Sequence, residues 1–480
     1  MDSPRFLTLA ENMMPPVPRP PASRLLQETL RVIVRRYRLP AITEDSAPPH
    51  NNGASTTLAI VIEQTRLALL HHKTPDPALK QGFLNALAQL IGEAMHPELG
   101  DPVFQALVLQ HRSAPVREHA ALAAHHKQDR RRVRTLITRI AHPAKQQHVP
   151  AGPLQDALPR LQAAASAAAW VTVDTLVNHL LALPESEEAP SLREVLLALQ
   201  AHPALTRLQR LDALDADACV QRYQALLDRN GPRSGSVNAL RQGLAAQRRG
   251  AAVEAVVSEA LEVLAQRLND AEPDTACYRV VTSMRVPASL PGSPERAKTE
   301  WDSVLLQCGK NIDEPTEWDV CLLVEAKASA DAASSDLPRV RRGLHLLAQA
   351  DEETVYPFKT QQGLVNLRGA SLRTLDPNRP SLADIVLYCS NAPSDGWPRL
   401  LSAASRMQLL SEAASLQFAS ALAEQRVSSP DLLEPLWPLL LSSPRLSAVL
   451  HQYPLLREAR DLMVHPDDLL AAVKNVTVNA

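Results

Sequence analysis

The sequence predicts a multidomain α + α/β protein with a helical N-terminal domain, a central α/β module and a helical C-terminal region. Three observations carry this. The chain has 480 residues, too many for one compact core; 45% are apolar and only 3% aromatic, so Ala, Leu and Val must build the cores, a mix that favours helices. Over 56–229, apolar residues recur at spacings of three and four. After 278 the period changes, and β-rich runs appear.

Taken in order, residues 1–22 are expected to be disordered. They carry an acid at Asp2 and only a short apolar run before several prolines, so neither a signal peptide nor an anchor is expected. A helix over 23–37 places Leu26, Leu30, Ile33 and Val34 on one side, and AITEDSAPPHNNGAS (41–55) reads as a linker within an all-α domain spanning 23–229. The 39 prolines usually fall between apolar stretches, which predicts many short helices. NGPRSGS (230–236) marks a boundary. Beyond it come a helix over 237–268 and the runs YRVVTSMRV (278–286), WDSVLLQC (301–308), VCLLVEAKA (320–328) and LADIVLYCS (382–390). A helical stretch, DLPRVRRGLHLLAQA (336–350), separates the third run from the fourth. Helix, three strands, helix, strand describes an α/β module over 237–396, and the helical pattern returns over 397–480.

Composition narrows the function. A net charge of -2 draws the chain to no polyanion as a whole, so any such contact must be a local patch. The five cysteines are scattered and lack CxxC spacing, which argues against a disulfide framework or structural zinc and makes a cytoplasmic location the expectation. No run of eighteen apolar residues exists, so no membrane contact is expected. GxxxxGK[ST], GxSxG and GxGxxG are all absent, and the pairs His71-His72 and His125-His126 lack HxxxH metal spacing.

The sharpest local feature is LLVEAKAS, 322–329. In a strand, Glu325 and Lys327 share a face about 6.7 Å apart, with Leu323 and Cys321 preceding them, while Leu322, Val324 and Ala326 form the other face. By itself the pair reads as a solvated ion pair where the strand leaves the core. A second acid changes that reading. TEWD occurs at 299–302 and again at 316–319. A hairpin closed by GKNIDEPTE centres between Asp313 and Glu314 and sets Asp302 opposite Glu325, Cα atoms about 5 Å apart. Asp319 lies about 20 Å from Glu325 along its own strand, too far to share an ion. Asp302 is therefore the candidate ligand, and Asp319 an acid at a strand start beside a packed Trp. Two facing carboxylates with an adjacent amine suit Mg²⁺ or Mn²⁺, a hard cation that takes oxygen ligands and keeps several waters. Such a cation activates water and offsets charge on a phosphoryl oxygen, and Lys327 can orient that water.

This pattern resembles the PD-(D/E)XK nuclease superfamily, the restriction-endonuclease-like fold, over about 240–395. Asp302 resembles its first acid and Glu325-Ala326-Lys327 its (D/E)-x-K motif, while Glu254 in RRGAAVEAVVSEAL resembles the acid of the preceding helix. Trp301 stands where the family often has Pro. The resemblance implies a mixed sheet, Asp302, Glu325 and Lys327 as catalytic residues, and Asp302, Glu325 and Glu254 as metal ligands. It implies hydrolysis of phosphodiester bonds with Mg²⁺ or Mn²⁺, in DNA rather than RNA. Glu254 also fits an ordinary exposed acid beside the stripe Val253, Val256, Val257, Ala260, Leu261 and Leu264, and Glu300 is an alternative ligand.

Two basic segments could meet nucleic acid. HHKQDRRRVRTLITRIAHPAK (125–145) has seven Lys/Arg, among them Arg131 and Arg134, and Arg339, Arg341 and Arg342 lie nearer the acids in sequence. A solvated helix face is the alternative for the first. Two rival readings remain. One is a non-catalytic interaction protein using a nuclease-like fold as a platform, with the helical N-terminal domain binding a protein partner. The other is a helical scaffold with an incidental sheet.

Overall fold

A computed structural model describes residues 23–46, 53–142, 152–231, 236–273, 276–309, 317–378, 381–394, 399–426 and 429–476. The expected disorder of 1–22 lies outside these residues, as do most of the hairpin loop and parts of the 41–55 linker and the 230–236 boundary.

The chain forms two compact units. One comprises 87–239 with 407–437; the other comprises 1–86, 240–406 and 438–480. The units thus depart from the chain-order boundaries expected at 229, 237 and 397. The C-terminal region divides between them, because its last part supplies both a strand and packing surface to the sheet.

The first unit is helical among its described residues. Its prolines act as helix starters: Pro102, Pro153, Pro190 and Pro203 each occupy the first turn of a helix, where the missing N–H leaves no bond unmade. Asp101 and Ser113 cap the helices Pro102–Arg112 and Ala114–Ala141 with side-chain oxygens. The core of the unit gathers Val133, Ile137, Leu158, Trp170, Val177 and Leu196.

The second unit is built on a mixed sheet of seven strands among the described residues. The strands are β1 (Ala276–Arg285), β2 (Glu300–Gly309), β3 (Asp319–Ala326), β4 (Val355–Thr360), β5 (Gly363–Arg368), β6 (Val386–Cys389) and β7 (Met463–Val464), in the order β5-β4-β1-β2-β3-β6-β7. β1, β2 and β3 run antiparallel, while β6 is parallel to β3 and β7 to β6. The hairpin β4–β5 and the two-residue β7 add to the four expected strands.

Helices cover both faces. Val253, Val257, Leu261 and Leu264 of the helix Val237–Ala271 pack with Leu322 and Val324; the helices Arg24–Val32 and Pro466–Asn475 join this layer. Val256, expected in the stripe, is 39% exposed. On the opposite face, Leu337, Val340 and Leu344 of the helix Ala330–Leu347 pack with Val304 and Leu323, and Ala459 of the helix Gln452–Asp461 closes the layer. The first helix ends at Val32 rather than 37, leaving Val34 exposed, while Tyr37 is buried and its hydroxyl donates to the carbonyls of Ser390 (2.8 Å) and Ala392 (2.6 Å).

The β2–β3 register at the acid end is the expected one: Ser303↔Val324, Val304↔Leu323 and Leu305↔Leu322. Farther along, Leu306 pairs with Val320 and Cys321 is passed over as a bulge. Cys321 packs with Leu322 and Val324 rather than with Leu323, because the extra residue resets the alternation.

No helix among the described residues is long and apolar enough to cross a membrane.

Candidate functional site

Asp302 and Glu325 stand one step beyond the Ser303↔Val324 pair, where β2 begins and β3 ends. They clamp each other across the ribbon. The Asp302 N–H donates to Glu325 Oε1 (3.4 Å), and the Ala326 N–H donates to Asp302 Oδ2 (2.9 Å). Glu325 is fully buried, while the Asp302 side chain keeps 23% of its exposure and forms the opening to solvent.

Two ammonium groups attend the acids. Lys327 follows the end of β3, its N–H bonded to the Cys389 carbonyl (2.8 Å); its Nζ lies 3.3 Å from Glu325 Oε2 and 2.8 Å from Asp336 Oδ2. Burial opposes its charge, yet Glu325 and Asp336 outweigh burial and hold the amine above the ordinary lysine range. Lys298 was not foreseen. It lies just before β2, and its ammonium contacts Glu325 Oε2 and stands 3.8 Å from Asp302 Oδ1. Its backbone is fixed by the helix Ala330–Leu347: the Lys298 N–H donates to the Arg339 carbonyl (3.1 Å), and a Cβ on Gly343 would come within 2.8 Å of the Lys298 carbonyl oxygen. Gly343 is thus the residue that lets helix and loop touch. One sequence signal pointed here. The chain has 41 arginines and 9 lysines, yet two of those lysines flank the acid pair. Asp336, the second partner of Lys327, carried no such signal; it sits within a helix that begins at Ala330, not at 336.

Burial first, then the Asp302 carboxylate, push the Glu325 carboxyl up to about 8 against the pull of Lys298 and Lys327. A carboxyl whose folded pKa exceeds its unfolded value stabilises the fold at low pH and loses that contribution as pH rises through the folded value. In chelator, wild-type protein is therefore expected to lose thermal stability relative to Glu325→Gln as pH is raised from about 5 through about 8. A difference in melting temperature that is constant with pH contradicts this.

Asp302 and Ser303 line a cleft of about 310 Å³ together with Glu254, Ser258, Gln361 and Gln362. Burial first, then the charges of Asp302 and Glu300, raise the Glu254 carboxyl. It does not close a ligand cage: among the described residues, no three His, Cys, Asp or Glu side chains converge as a metal site. Glu300 faces Arg285 in register and pairs with it (3.4 Å), an ordinary cross-strand ion pair. Asp319 pairs with Arg368 of β5, and Trp318 stacks under the Arg279 guanidinium (4.0 Å), so the second TEWD joins strands.

Of the five arginines expected to meet nucleic acid, Arg339 alone joins the site, 3.8 Å from Asp336 Oδ1. Arg341 is engaged by Glu458 (3.2 Å), and Arg342 donates to the Arg296 carbonyl (2.8 Å). In the helical unit, Arg131 lines a cavity of about 760 Å³ with Lys127, Arg130 and Arg134. Arg134 also donates to the carbonyls of Ala165 (3.1 Å) and Ser166 (2.9 Å), capping the helix Pro153–Ser166.

Two carboxylates that reach one ammonium from neighbouring strands offer hard oxygen donors at a single point. Mg²⁺ and Mn²⁺ fit such a pair, since Mg²⁺ is commonly held by one or two carboxylates and keeps the rest of its shell as water or substrate oxygen. Comparison with protein-family models, curated proteins and solved structures gives no match.

Proposed function

We propose that the chain is a metal-dependent nuclease of the restriction-endonuclease-like type that hydrolyses phosphodiester bonds, with DNA as substrate. The observation that carries this reading is the convergence of Asp302 and Glu325 beside Lys327 at the paired ends of β2 and β3. Asp302 and Glu325 would hold Mg²⁺ or Mn²⁺. When bound, that cation supplies Lewis acidity to the phosphoryl oxygen and favours ionisation of water. Lys327, fixed between Glu325 and Asp336, is aimed to orient the attacking water and to offset negative charge in the transition state. Asp302 faces the cleft, so the scissile phosphate would approach from that side, past Glu254 and the Gln361–Gln362 turn. Arg339 and the basic helix face around Arg131 are the phosphate contacts this reading calls for.

The test is cleavage of duplex and single-stranded DNA with Mg²⁺ by wild type and Lys327→Ala. Loss of an electrostatic stabiliser of this kind is expected to slow cleavage by about 10²–10³-fold. Equal rates would remove Lys327 from the mechanism.

One observation favours a second reading, a non-catalytic platform: Glu325 is wholly buried and its carboxyl is met from inside by Lys298. Under that reading wild-type protein binds no Mn²⁺ at millimolar concentration.

A further inference from the structure

We propose that Lys298 occupies the position between Asp302 and Glu325 that the divalent cation takes, and that its side chain must withdraw for the cation to enter. This inference rests on the nuclease reading and deepens it.

The geometry of the two lysines carries the argument. Lys327 contacts Glu325 but is anchored by Asp336, which lies outside the ligand pair. It can remain in place when the carboxylates turn to a cation. Lys298 has no such second anchor among the described residues: its ammonium contacts Glu325 Oε2 and approaches Asp302 Oδ1, and these are its ion-pair partners. A cation held at about 2.0–2.1 Å from the same oxygens would overlap that ammonium in space and repel it in charge. Both cannot be present.

The backbone of Lys298 is fixed independently of its ion pairs. The N–H bond to Arg339 and the close approach of Gly343 hold the main chain. The side chain itself is buried, 6% exposed, so withdrawal means turning its four-carbon stem out of the packing about that fixed main chain. The ammonium already stands 5.9 Å from the ring centroid of the buried Trp301, so one side of its present position is an aromatic face. Lys298 is therefore a positioning residue. It acts on the ligands, holding the buried Glu325 and the partly exposed Asp302 together until the cation arrives.

The test is Mn²⁺ binding by isothermal titration calorimetry to full-length wild type, Lys298→Met and Asp302→Asn. Removing the competing ammonium is expected to tighten Mn²⁺ binding to Lys298→Met at least tenfold, while its melting temperature without metal falls. A merely structural lysine would not tighten binding when lost. Unchanged or weaker affinity in Lys298→Met overturns the proposal. If Asp302→Asn loses Mn²⁺ while Lys298→Met binds it no more tightly than wild type, the metal site stands and the role of Lys298 falls. If no form binds Mn²⁺, both fall. If binding tightens but wild type cleaves no DNA, the role of Lys298 stands and the nuclease reading falls. Wild type supplies a second measurement that needs no variant. Amine acetylation followed by peptide mass spectrometry should modify Lys298 several-fold faster with saturating Mn²⁺ than in chelator. Equal protection in the two conditions overturns the proposal.

Discussion

Asp302→Asn is expected to lower Mg²⁺-dependent DNA cleavage at least about 100-fold. The amide keeps the shape of the side chain and one oxygen that can accept from the Ala326 N–H, so the clamp on β3 survives while the charge is lost. Asp319→Asn is the matched control. It changes the acid of the other TEWD, which pairs with Arg368 at the far end of β3, and cleavage should stay within about twofold of wild type because no charge is removed from the cleft. Initial rates of cleavage for the two variants make the comparison. Similar losses would show that the acids act through the fold rather than through the reaction.

The largest effect on stability is expected at the neighbouring residue. Trp301 is fully buried, faces Met284 across the β1–β2 pair, and belongs to the core beneath the helix Ala330–Leu347. Trp301→Ala removes that ring from a packed interior and should cost about 3–5 kcal/mol. Glu300→Gln, one residue earlier, breaks an ion pair whose side chains are 66% and 43% exposed, and should cost less than about 1 kcal/mol. Urea unfolding followed by far-ultraviolet circular dichroism in chelator would report both. Comparable losses would mean that the strand draws its stability from the surface pair instead of from the ring.

The acid pair was legible because it depends on local rules. A turn-rich loop sets a hairpin register, and that register places Asp302 against Glu325; the ladder at Ser303↔Val324 has this register. The same reasoning failed a few residues away. The bulge at Cys321 leaves no mark in a run of apolar residues, so the face of Cys321 was misread. The hairpin β4–β5 did show alternation, with Tyr356 and Phe358 inward, but Pro357 obscured it; Pro357 pairs with Asn366 within the ladder. β7 is two residues long and gains its role only by lying beside β6.

Lys298 and the arginines illustrate a second limit. Lys298 reaches the acids because a loop is drawn against Gly343 of a helix more than forty residues later. Arg341 is spent on Glu458, a partner from the C-terminal region that no window of local sequence contains. Charge in a motif predicts proximity along the chain, whereas its availability depends on long-range packing. The same long-range packing brings 438–480 to the sheet, which is why boundaries drawn in chain order did not match the compact units.

The most direct measurement is the stoichiometry of Mn²⁺ binding to the full-length protein, followed by titration calorimetry or electron paramagnetic resonance, in wild type and Asp302→Asn. The account predicts one Mn²⁺ per wild-type chain and none held by the variant under the same conditions. Undiminished binding by the variant, or no binding by wild type at millimolar Mn²⁺, would contradict it.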